Sequence, residues 1–200
     1  MNFFEPDPDI PEVEVDEPER DPRSEPAFDE LPATAPINAL LVANEHVAIG
    51  LVAVRVFSDG VEFSLERRIR RHGMSRGNFR RLTEERGFMF DDDAQASRLR
   101  YGMLLADGQR LTSSRPWFRE GENAALSATQ HSLVTTGGSS SGSDWRYEHS
   151  DSLWLYPLPP AGRIELVTQW PFGGVEETRV QIDANLILEV LPHVRHLWDD

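Results

Sequence analysis

The sequence predicts an all-β fold, a β-sandwich of two mainly antiparallel sheets with one C-terminal helix and a disordered acidic N-terminal tail. Apolar and polar residues alternate with a period of two in many short stretches between residues 37 and 182, as in strands with one buried face. Turn signals rich in Gly, Pro and Asp separate these stretches. About eight short strands divided in this way are typical of a β-sandwich.

Residues 1–36 differ in composition from the rest of the chain, and we expect them to form the disordered tail. They contain twelve acidic residues and eight of the 14 prolines but only two arginines, so they carry −10 of the net charge of −14. Such a segment repels itself and lacks apolar area to offset the entropy of ordering. It is either a solubilising tail or, because Phe3 and Phe4 head the acidic string, a recognition peptide for a protein partner.

Two hairpins are predicted at the start of the domain that follows, residues 37–200. The strands of the first hairpin flank "SDG" at 58–60, where Gly60 can take a positive φ. The strands of the second flank "ADGQR", with Asp107 and Gly108 in the turn. Further strands are predicted at 125–134, 151–158, 163–170 and 176–182.

One helix is predicted at the C-terminus, over residues 183–197. Asp183 is a suitable N-cap because its side chain can accept from the free backbone N–H groups of the first turn. Pro192 has no N–H to donate, so we expect a kink or a restart at that position. The apolar residues with helical spacing are Leu186, Ile187, Val190, Leu191, Val194 and Leu197.

The composition excludes several classes of function. The chain has no cysteine, and therefore no disulfide framework, thiolate metal site or cysteine nucleophile. Its N-terminus lacks the positive and apolar regions of a secretory signal. No apolar run approaches the roughly 18–20 residues of a membrane helix. We expect a soluble cytoplasmic protein that does not act at a membrane.

The stretch "TTGGSSSGSDWRYEHSD", residues 135–151, has the composition of either an active-site loop or a flexible connection. It lacks the Lys-Ser/Thr of a phosphate-binding loop, and none of its serines stands in a nucleophile elbow. Gly and Ser keep a chain flexible and hydrated. We therefore expect a slack loop between two strands, after which Trp145 either re-enters the fold or lies at its rim.

Three polar residues around this loop support one alternative, a hydrolase-like enzyme whose site gathers His131, His149 and Asp151. Such sites are recognised by geometry rather than by residue type, so the sequence leaves the alternative open. His193 and His196 have a spacing compatible with a shared metal, but a site needs further ligands. The acidic run 91–93 lacks the EF-hand pattern. We expect no metal site and no cofactor.

Residues 71–97 form an Arg-rich insertion between the two hairpins, longer than the loops of most compact domains. With the end of the preceding strand, residues 66–86 carry +5. This surface has three possible uses: docking of a protein partner or of the chain's own tail, nucleic-acid binding with Phe79 as a base platform, or protection of a sheet edge. The arginines are Arg67, Arg68, Arg70, Arg71, Arg76, Arg80, Arg81 and Arg86.

The run "SLWLYPLPPAGRIELVTQWPFGGVEETRVQIDANLILE", preceded by a Gly-rich stretch and "DW", resembles a group of high-GC bacterial proteins. In that group a Gly-rich run leads into a Trp-Pro-Leu-Pro segment, then a Trp, a Gly-containing turn and Glu-Thr. The resemblance covers residues 144–189 well and residues 49–70 and 99–108 loosely. It implies a common β-sandwich and carries no established activity, so it assigns no catalytic residue.

Taken together, these observations favour a non-enzymatic protein-interaction module. It would bind a protein partner through the acidic tail, with Phe3 and Phe4, through the Arg-rich insertion, or through both, and Trp145 is a further candidate contact residue. The hydrolase-like enzyme and the nucleic-acid binder are the alternatives. A net charge of −14 argues against free nucleic-acid binding, because the tail competes for the same arginines.

Overall fold

A computed structural model of the protein describes residues 19–83, 98–113 and 130–198. The helices in these ranges are α1 (Arg76–Thr83) and α2 (Ala184–Val190), with short 3-10 helices at Pro171–Gly173 and Leu191–His193. The strands, in chain order, are β1 (Glu30–Leu31), β2 (Ala33–Ala35), β3 (Ala39–Ala43), β4 (Val47–Val56), β5 (Val61–Arg70), β6 (Arg100–Leu104), β7 (Arg110–Thr112), β8 (Ser132–Gly142), β9 (Arg146–Tyr156), β10 (Arg163–Trp170), β11 (Val175–Asp183) and β12 (Arg195–His196).

The strands form two antiparallel sheets and one small ribbon. The larger sheet has the order β2-β4-β5-β9-β8, and β3 pairs with the same edge of β4 as β2 but with a different part of that strand. The smaller sheet has the order β11-β10-β6-β7. The ribbon pairs β1 with β12. The predicted fold class, a mainly antiparallel β-sandwich with a C-terminal helix, is confirmed. We call the face of each sheet that packs on the other sheet its inner face, and the opposite side its outer face.

The alternation in β5 explains why the sequence pattern predicts this packing. Phe63 and Leu65 are fully buried on the inner face, whereas Arg68 lies exposed on the outer face. On the facing sheet, Ile164 and Leu166 are also fully buried. Burial of each such side chain contributes about 1.5–3 kcal/mol, so the two sheets are held together by the residues at alternate positions.

The predicted tail is corrected at its boundary, because residues 19–36 belong to the folded domain. β2 pairs with β4, and the carboxylate of Glu30, which is buried, accepts from the Ser58 backbone N–H at 2.9 Å. The carbonyl of Pro22 accepts from Nε1 of Trp154 at 2.8 Å. These contacts offset the ordering cost that the acidic composition predicts. Phe3 and Phe4 lie outside the described residues.

Gly60 has a different role from the predicted one. The β4–β5 hairpin is confirmed, but Gly60 does not have a positive φ. A Cβ there would instead overlap the ring of Trp154, which is fully buried. The glycine is required by close packing, whereas in the β6–β7 hairpin Gly108 has φ 87° and the predicted turn geometry.

The Gly/Ser stretch is not slack, contrary to the prediction. It forms most of β8, which pairs with β9 from Ser132 opposite Tyr156 to Gly142 opposite Tyr147. Backbone groups make this ladder, so Gly and Ser side chains suffice for it. At Gly138 an added Cβ would lie 2.8 Å from the Ser150 carbonyl oxygen and 3.0 Å from Nε2 of His149.

The C-terminal helix is shorter than the predicted 183–197. Asp183 caps it as expected, since its Oδ1 accepts from the Asn185 N–H at 3.0 Å. Helix α2 ends at Val190, and a 3-10 helix begins beside Pro192, which confirms the predicted restart. The chain then enters β12 against β1. None of the helices in the described ranges has the length and apolar character needed to cross a membrane.

Candidate functional site

Side chains from separate segments converge at one end of the sandwich, which we call the arginine end. It is built from the β3–β4 turn, helix α1, the β8–β9 turn and the 3-10 helix Pro171–Gly173. The Arg71 N–H donates to the Trp145 carbonyl at 2.9 Å, and Nδ2 of Asn44 donates to the Gly173 carbonyl at 3.0 Å. These bonds hold the turns together, as is common where loops present functional groups on a rigid scaffold.

The arginine end is positive on a strongly acidic protein. Seven arginines lie there among the described residues, against four acidic residues, Glu45, Glu66, Asp144 and Glu148, which leaves +3. Because the whole chain carries −14, the rest of it carries −17. This surface therefore attracts anionic groups that the remainder of the protein repels. The arginines are Arg68, Arg70, Arg71, Arg76, Arg80, Arg81 and Arg146.

Strand alternation separates the predicted arginine cluster. Arg68 and Arg70 point outward from β5, where Arg68 pairs with Glu66 at 2.6 Å and with Glu148 at 3.0 Å. Arg67 points inward, is only 4% exposed, and lies with its guanidinium 4.9 Å from the ring centre of Trp170. Arg67 was predicted to contact a partner, and its burial corrects that prediction.

The half-buried Arg71 and the exposed Trp145 form a cation–π pair. The guanidinium carbon of Arg71 lies 4.7 Å from the centre of the indole, and its Nε donates to the Met74 carbonyl at 2.8 Å. Trp145 is 68% exposed, so it lies at the rim rather than re-entering the fold. Arg76 of α1 reaches Asp144, beside the indole, at 3.1 Å. A large aromatic surface is thus held in place among positive charges while it faces solvent.

A second arginine–aromatic pair borders a cavity at the same end. The guanidinium carbon of Arg81 lies 5.8 Å from the ring centre of Phe172. The cavity has a volume of about 410 Å³, and its lining includes Met74, Leu82 and His46 besides this pair. Its walls combine apolar side chains with a guanidinium, which suits an apolar or aromatic side chain next to a carboxylate.

Helix α1 does not present an aromatic platform for nucleic-acid bases. Phe79 is its buried residue, with an exposure of 3%, and packs in the core of the sandwich. The nucleic-acid interpretation of the sequence used Phe79 for stacking, and burial prevents this. The rest of the predicted insertion, including Arg86 and the acidic run 91–93, lies outside the described residues.

A groove adjoins the arginine end on the side of the larger sheet. It has a volume of about 700 Å³ and is bordered by Arg68, Arg70, Arg146 and Glu148. The strand register produces this grouping, since Arg70 lies directly opposite Arg146 and Arg68 opposite Glu148. Small side chains flank these residues on either side, Ala48 on β4 and Ser141 and Ser143 at the end of β8. Three arginines and one glutamate border the groove, so its charged lining is net positive.

A polar chain lies between the sheets behind this groove. Oδ1 of Asp151 is 3.1 Å from Nε2 of His149, and its Oδ2 accepts from the Tyr101 hydroxyl at 3.0 Å. The other ring nitrogen of His149 is 3.4 Å from the Tyr147 hydroxyl. The side chains of His149 and Asp151 are only 13% and 15% exposed. The arrangement has the form of an oriented histidine base, with Gly138 packed against the imidazole.

The pKa of Asp151 is lowered despite its burial. Burial is the largest single influence and opposes ionisation, but the hydrogen bond and charge of His149, the charge of Arg67 and the Tyr101 hydroxyl together outweigh it. The carboxylate is therefore held ionised inside the protein. Since a carboxylate only accepts, Nε2 of His149 is the donor in their contact.

The structure does not bring His131 to this pair. The ring of His131 contacts Oε1 of Gln109 and the Leu158 carbonyl, each at 3.2 Å. It lies seven residues along the chain from Gly138, the position opposite Asp151, which is about 23 Å in an extended strand. The predicted gathering of His131, His149 and Asp151 is therefore corrected to a pair.

The two histidines whose spacing was compatible with a shared metal, His193 and His196, both lie in the described ranges. Within them no three His, Asp or Glu side chains converge as metal ligands would. His193 lies in the 3-10 helix and His196 in β12, so the two do not share the helix face that their spacing indicates. His196 instead lies 3.6 Å from Asp29.

Comparison of the chain with models of protein families, with curated protein sequences and with solved structures finds no match. The resemblance to the group of bacterial proteins therefore stays a prediction.

Sequence reasoning missed several residues of these two sites. Arg146 joins Arg70 through the β5–β9 pairing, and Tyr101 joins Asp151 across the two sheets. Phe172 joins Arg81 because the 3-10 helix Pro171–Gly173 carries it to this end. One signal was available: "DWRYEHSD" alternates so that Tyr147, His149 and Asp151 share one face of a strand.

Proposed function

We propose that the protein is a non-enzymatic interaction module and that its arginine end binds an acidic segment of a protein partner. The observation that carries this proposal is the Arg71–Trp145 pair, in which an exposed indole lies with its ring centre 4.7 Å from the Arg71 guanidinium carbon in a surface of net positive charge. Trp and Arg are the residue types most enriched at interface hot spots. Holding both side chains in place before binding reduces the entropy that binding costs.

The charge pattern favours a peptide over a nucleic acid. Arg68 and Arg76 each face an acidic partner on the same surface, Glu148 and Asp144. A densely charged phosphate backbone would meet these carboxylates as well as the arginines. Carboxylates spaced by other residues can lie over the arginines alone, and the cavity at Phe172 accepts an apolar side chain beside them.

The test is a fluorescence-anisotropy titration of the full chain with three labelled probes. These are a peptide of Glu-Pro repeats headed by two Phe, the same peptide with Lys in place of Glu, and a single-stranded oligodeoxynucleotide of matched charge. The proposal predicts binding of the Glu-Pro peptide alone, weakened by salt because exposed charges are screened. Preference for the oligonucleotide would instead establish nucleic-acid binding.

Two exposed tryptophans provide a matched pair of variants. Trp145 belongs to the arginine end, whereas Trp198, 57% exposed, stacks on Phe28 at the ribbon of β1 and β12. Trp145→Ala is expected to weaken peptide binding by about tenfold, the effect of removing a hot-spot side chain. Trp198→Ala is expected to leave it unchanged. Equal affinities of the two variants would contradict the proposal.

A hydrolase-like activity is a second candidate, favoured by the His149–Asp151 pair alone. The Asp151 carboxylate orients the imidazole as the third group of a catalytic triad does. The Tyr147 hydroxyl lies 3.4 Å from Nδ1 of His149 and is therefore the group that such a base would act on. Hydrolysis of chromogenic esters by the purified chain that is lost in His149→Gln would support this candidate. Equal hydrolysis rates for the native chain and His149→Gln would contradict it.

A further inference from the structure

We infer that residues 1–18 of the same chain occupy the groove beside the arginine end and that a partner's acidic segment has to displace them. This inference rests on the proposed function, since it names the regulation of the same surface. Three observations support it: the place where the described chain begins, the distance from there to the groove, and the charges of the two parts.

The described chain begins on the outer face of the larger sheet, the side on which the groove lies. Trp154 and Tyr156 alternate with the buried inner residues of β9 and so point outward. The Pro22 carbonyl accepts from Nε1 of Trp154 at 2.8 Å, and the Arg23 guanidinium lies 5.5 Å from the ring centre of Tyr156. Arg20 is fixed by an ion pair with Asp59 at 2.9 Å. Residue 19 therefore leaves the domain next to this outer face.

The remaining residues are long enough to reach the groove. From Trp154 to Arg146, β9 runs eight residues, which is about 26 Å. Eighteen residues span up to about 56 Å when extended in a polyproline conformation. The acidic segment can therefore run along the sheet, cover the groove and place its first residues at the arginine end. A tethered segment of this length acts at an effective concentration of about millimolar.

The charges of the two parts are complementary. Residues 1–18 contain seven acidic residues and neither Lys nor Arg. The groove presents Arg68, Arg70 and Arg146 around one carboxylate, that of Glu148. In "EPDPD", residues 5–9, prolines alternate with the acids, which favours an extended backbone with its carboxylates spaced along it. Two phenylalanines precede this run, and the inferred path of the segment brings them toward the cavity beside Phe172.

The occupant is the segment of the same molecule, because its tether gives it an advantage over the equivalent segment of another copy. Occupation by a second copy is an alternative result that dilution distinguishes. Occupation in cis also accounts for the opposite charges of the two parts, acidic in the tail and basic on the sheet. A partner then binds only if its acidic segment makes more contacts with the groove than residues 1–18 make.

A spin label tests occupation directly, since the chain has no cysteine and a single Asn2→Cys change gives one attachment site. In the full labelled chain, we expect paramagnetic broadening of the amide signals of residues 68–70 and 145–148. The amide signals of 163–166, at the far end of β10, should stay sharp. The broadening should persist on dilution and vanish when the seven acids of residues 5–17 are changed to amides. Sharp signals at 68–70, or broadening that dilution removes, would overturn the inference.

The peptide titration separates this inference from the proposed function. With the acids of residues 5–17 changed to Gln and Asn in the full chain, the Glu-Pro peptide should bind about tenfold more tightly than to the native chain at low salt. Equal, measurable affinities would contradict tail occupation and leave the proposed function standing. Absence of binding to both chains would contradict the proposed function, while the spin-label result would still decide where the tail lies.

Discussion

Nε2 of His149 lies 3.1 Å from Oδ1 of Asp151, two residues away on the inner face of β9. Adjacent inner positions on one strand keep the two side chains side by side without help from distant parts of the chain. The Tyr101 hydroxyl and the buried Arg67 complete the environment from the other strands. An ionised carboxylate in a sandwich interior is thereby made compatible with folding.

Asp151→Asn should destabilise the protein by about 2–3 kcal/mol, because it removes the charge that compensates buried Arg67 and replaces one of the two oxygens that accept from His149 and Tyr101 with a donating NH2 group. Urea unfolding followed by Trp fluorescence measures the change. Tyr101→Phe removes a single hydrogen bond to the same carboxylate and should cost about 1 kcal/mol. A loss for Asp151→Asn no larger than that for Tyr101→Phe would show that the carboxylate's charge contributes little.

The stability of the native protein should also fall in acid through Asp151. Because its folded pKa is below the unfolded value of about 3.9, the carboxylate contributes stability above that pH. This contribution is lost as the pH falls through the folded pKa. Asp151→Asn should show a smaller loss over the same acid range. Identical pH profiles of unfolding free energy for the two proteins would contradict this assignment.

Two neighbouring glycines of β8 should respond oppositely to alanine. At Gly138 an added Cβ would lie 2.8 Å from the Ser150 carbonyl oxygen, whereas at Gly137 nothing lies within 4 Å. We expect Gly138→Ala to cost about 1–3 kcal/mol. Gly137→Ala should be neutral or stabilising by up to about 1 kcal/mol, since it restricts the unfolded chain. Thermal unfolding of both variants checks this, and equal midpoints would mean that the stretch is slack after all.

The strands that sequence patterns predict are those with strong alternation. β4, β5, β10 and β11 each bury one face, so their sequences carry the period of two. The part of β8 that follows Val134 could not be predicted in this way, because it pairs through the backbone and carries only Gly, Ser and Thr. The alternation of "DWRYEHSD" indicates a strand there. Only when β9 is known to extend to Arg146 does it follow that the Gly/Ser stretch can pair with it as β8.

Long-range contacts explain the other differences. The acidic composition of residues 19–36 is that of a disordered segment, yet Pro22 bonds Trp154 from 132 residues away. Composition does not contain that information. The arginine end was predicted in part, as a cluster of arginines, with Trp145 as a separate candidate contact residue. Arg146 and Phe172 join it only through strand pairing and the 3-10 helix, and Arg67 leaves it because a strand turns alternate residues to opposite faces.

A chain that starts at residue 37 should be at least about 4 kcal/mol less stable than one that starts at residue 19. It lacks strand β2, the buried Glu30 and the segment that covers Trp154. Their deletion removes the edge strand of a sheet and several buried contacts. Urea unfolding of the two truncated chains measures the difference. Equal stability would contradict the placement of residues 19–36 in the domain.

The most direct measurement is the affinity of the Glu-Pro peptide for two charge-reversed chains at low and at high salt. Arg146→Glu changes the arginine end, and Arg163→Glu makes the same change at the first residue of β10, away from it. The account predicts that Arg146→Glu weakens binding by about tenfold at low salt and that Arg163→Glu changes it by less than about twofold. Equal weakening in the two variants, or none in either, would contradict binding at the arginine end.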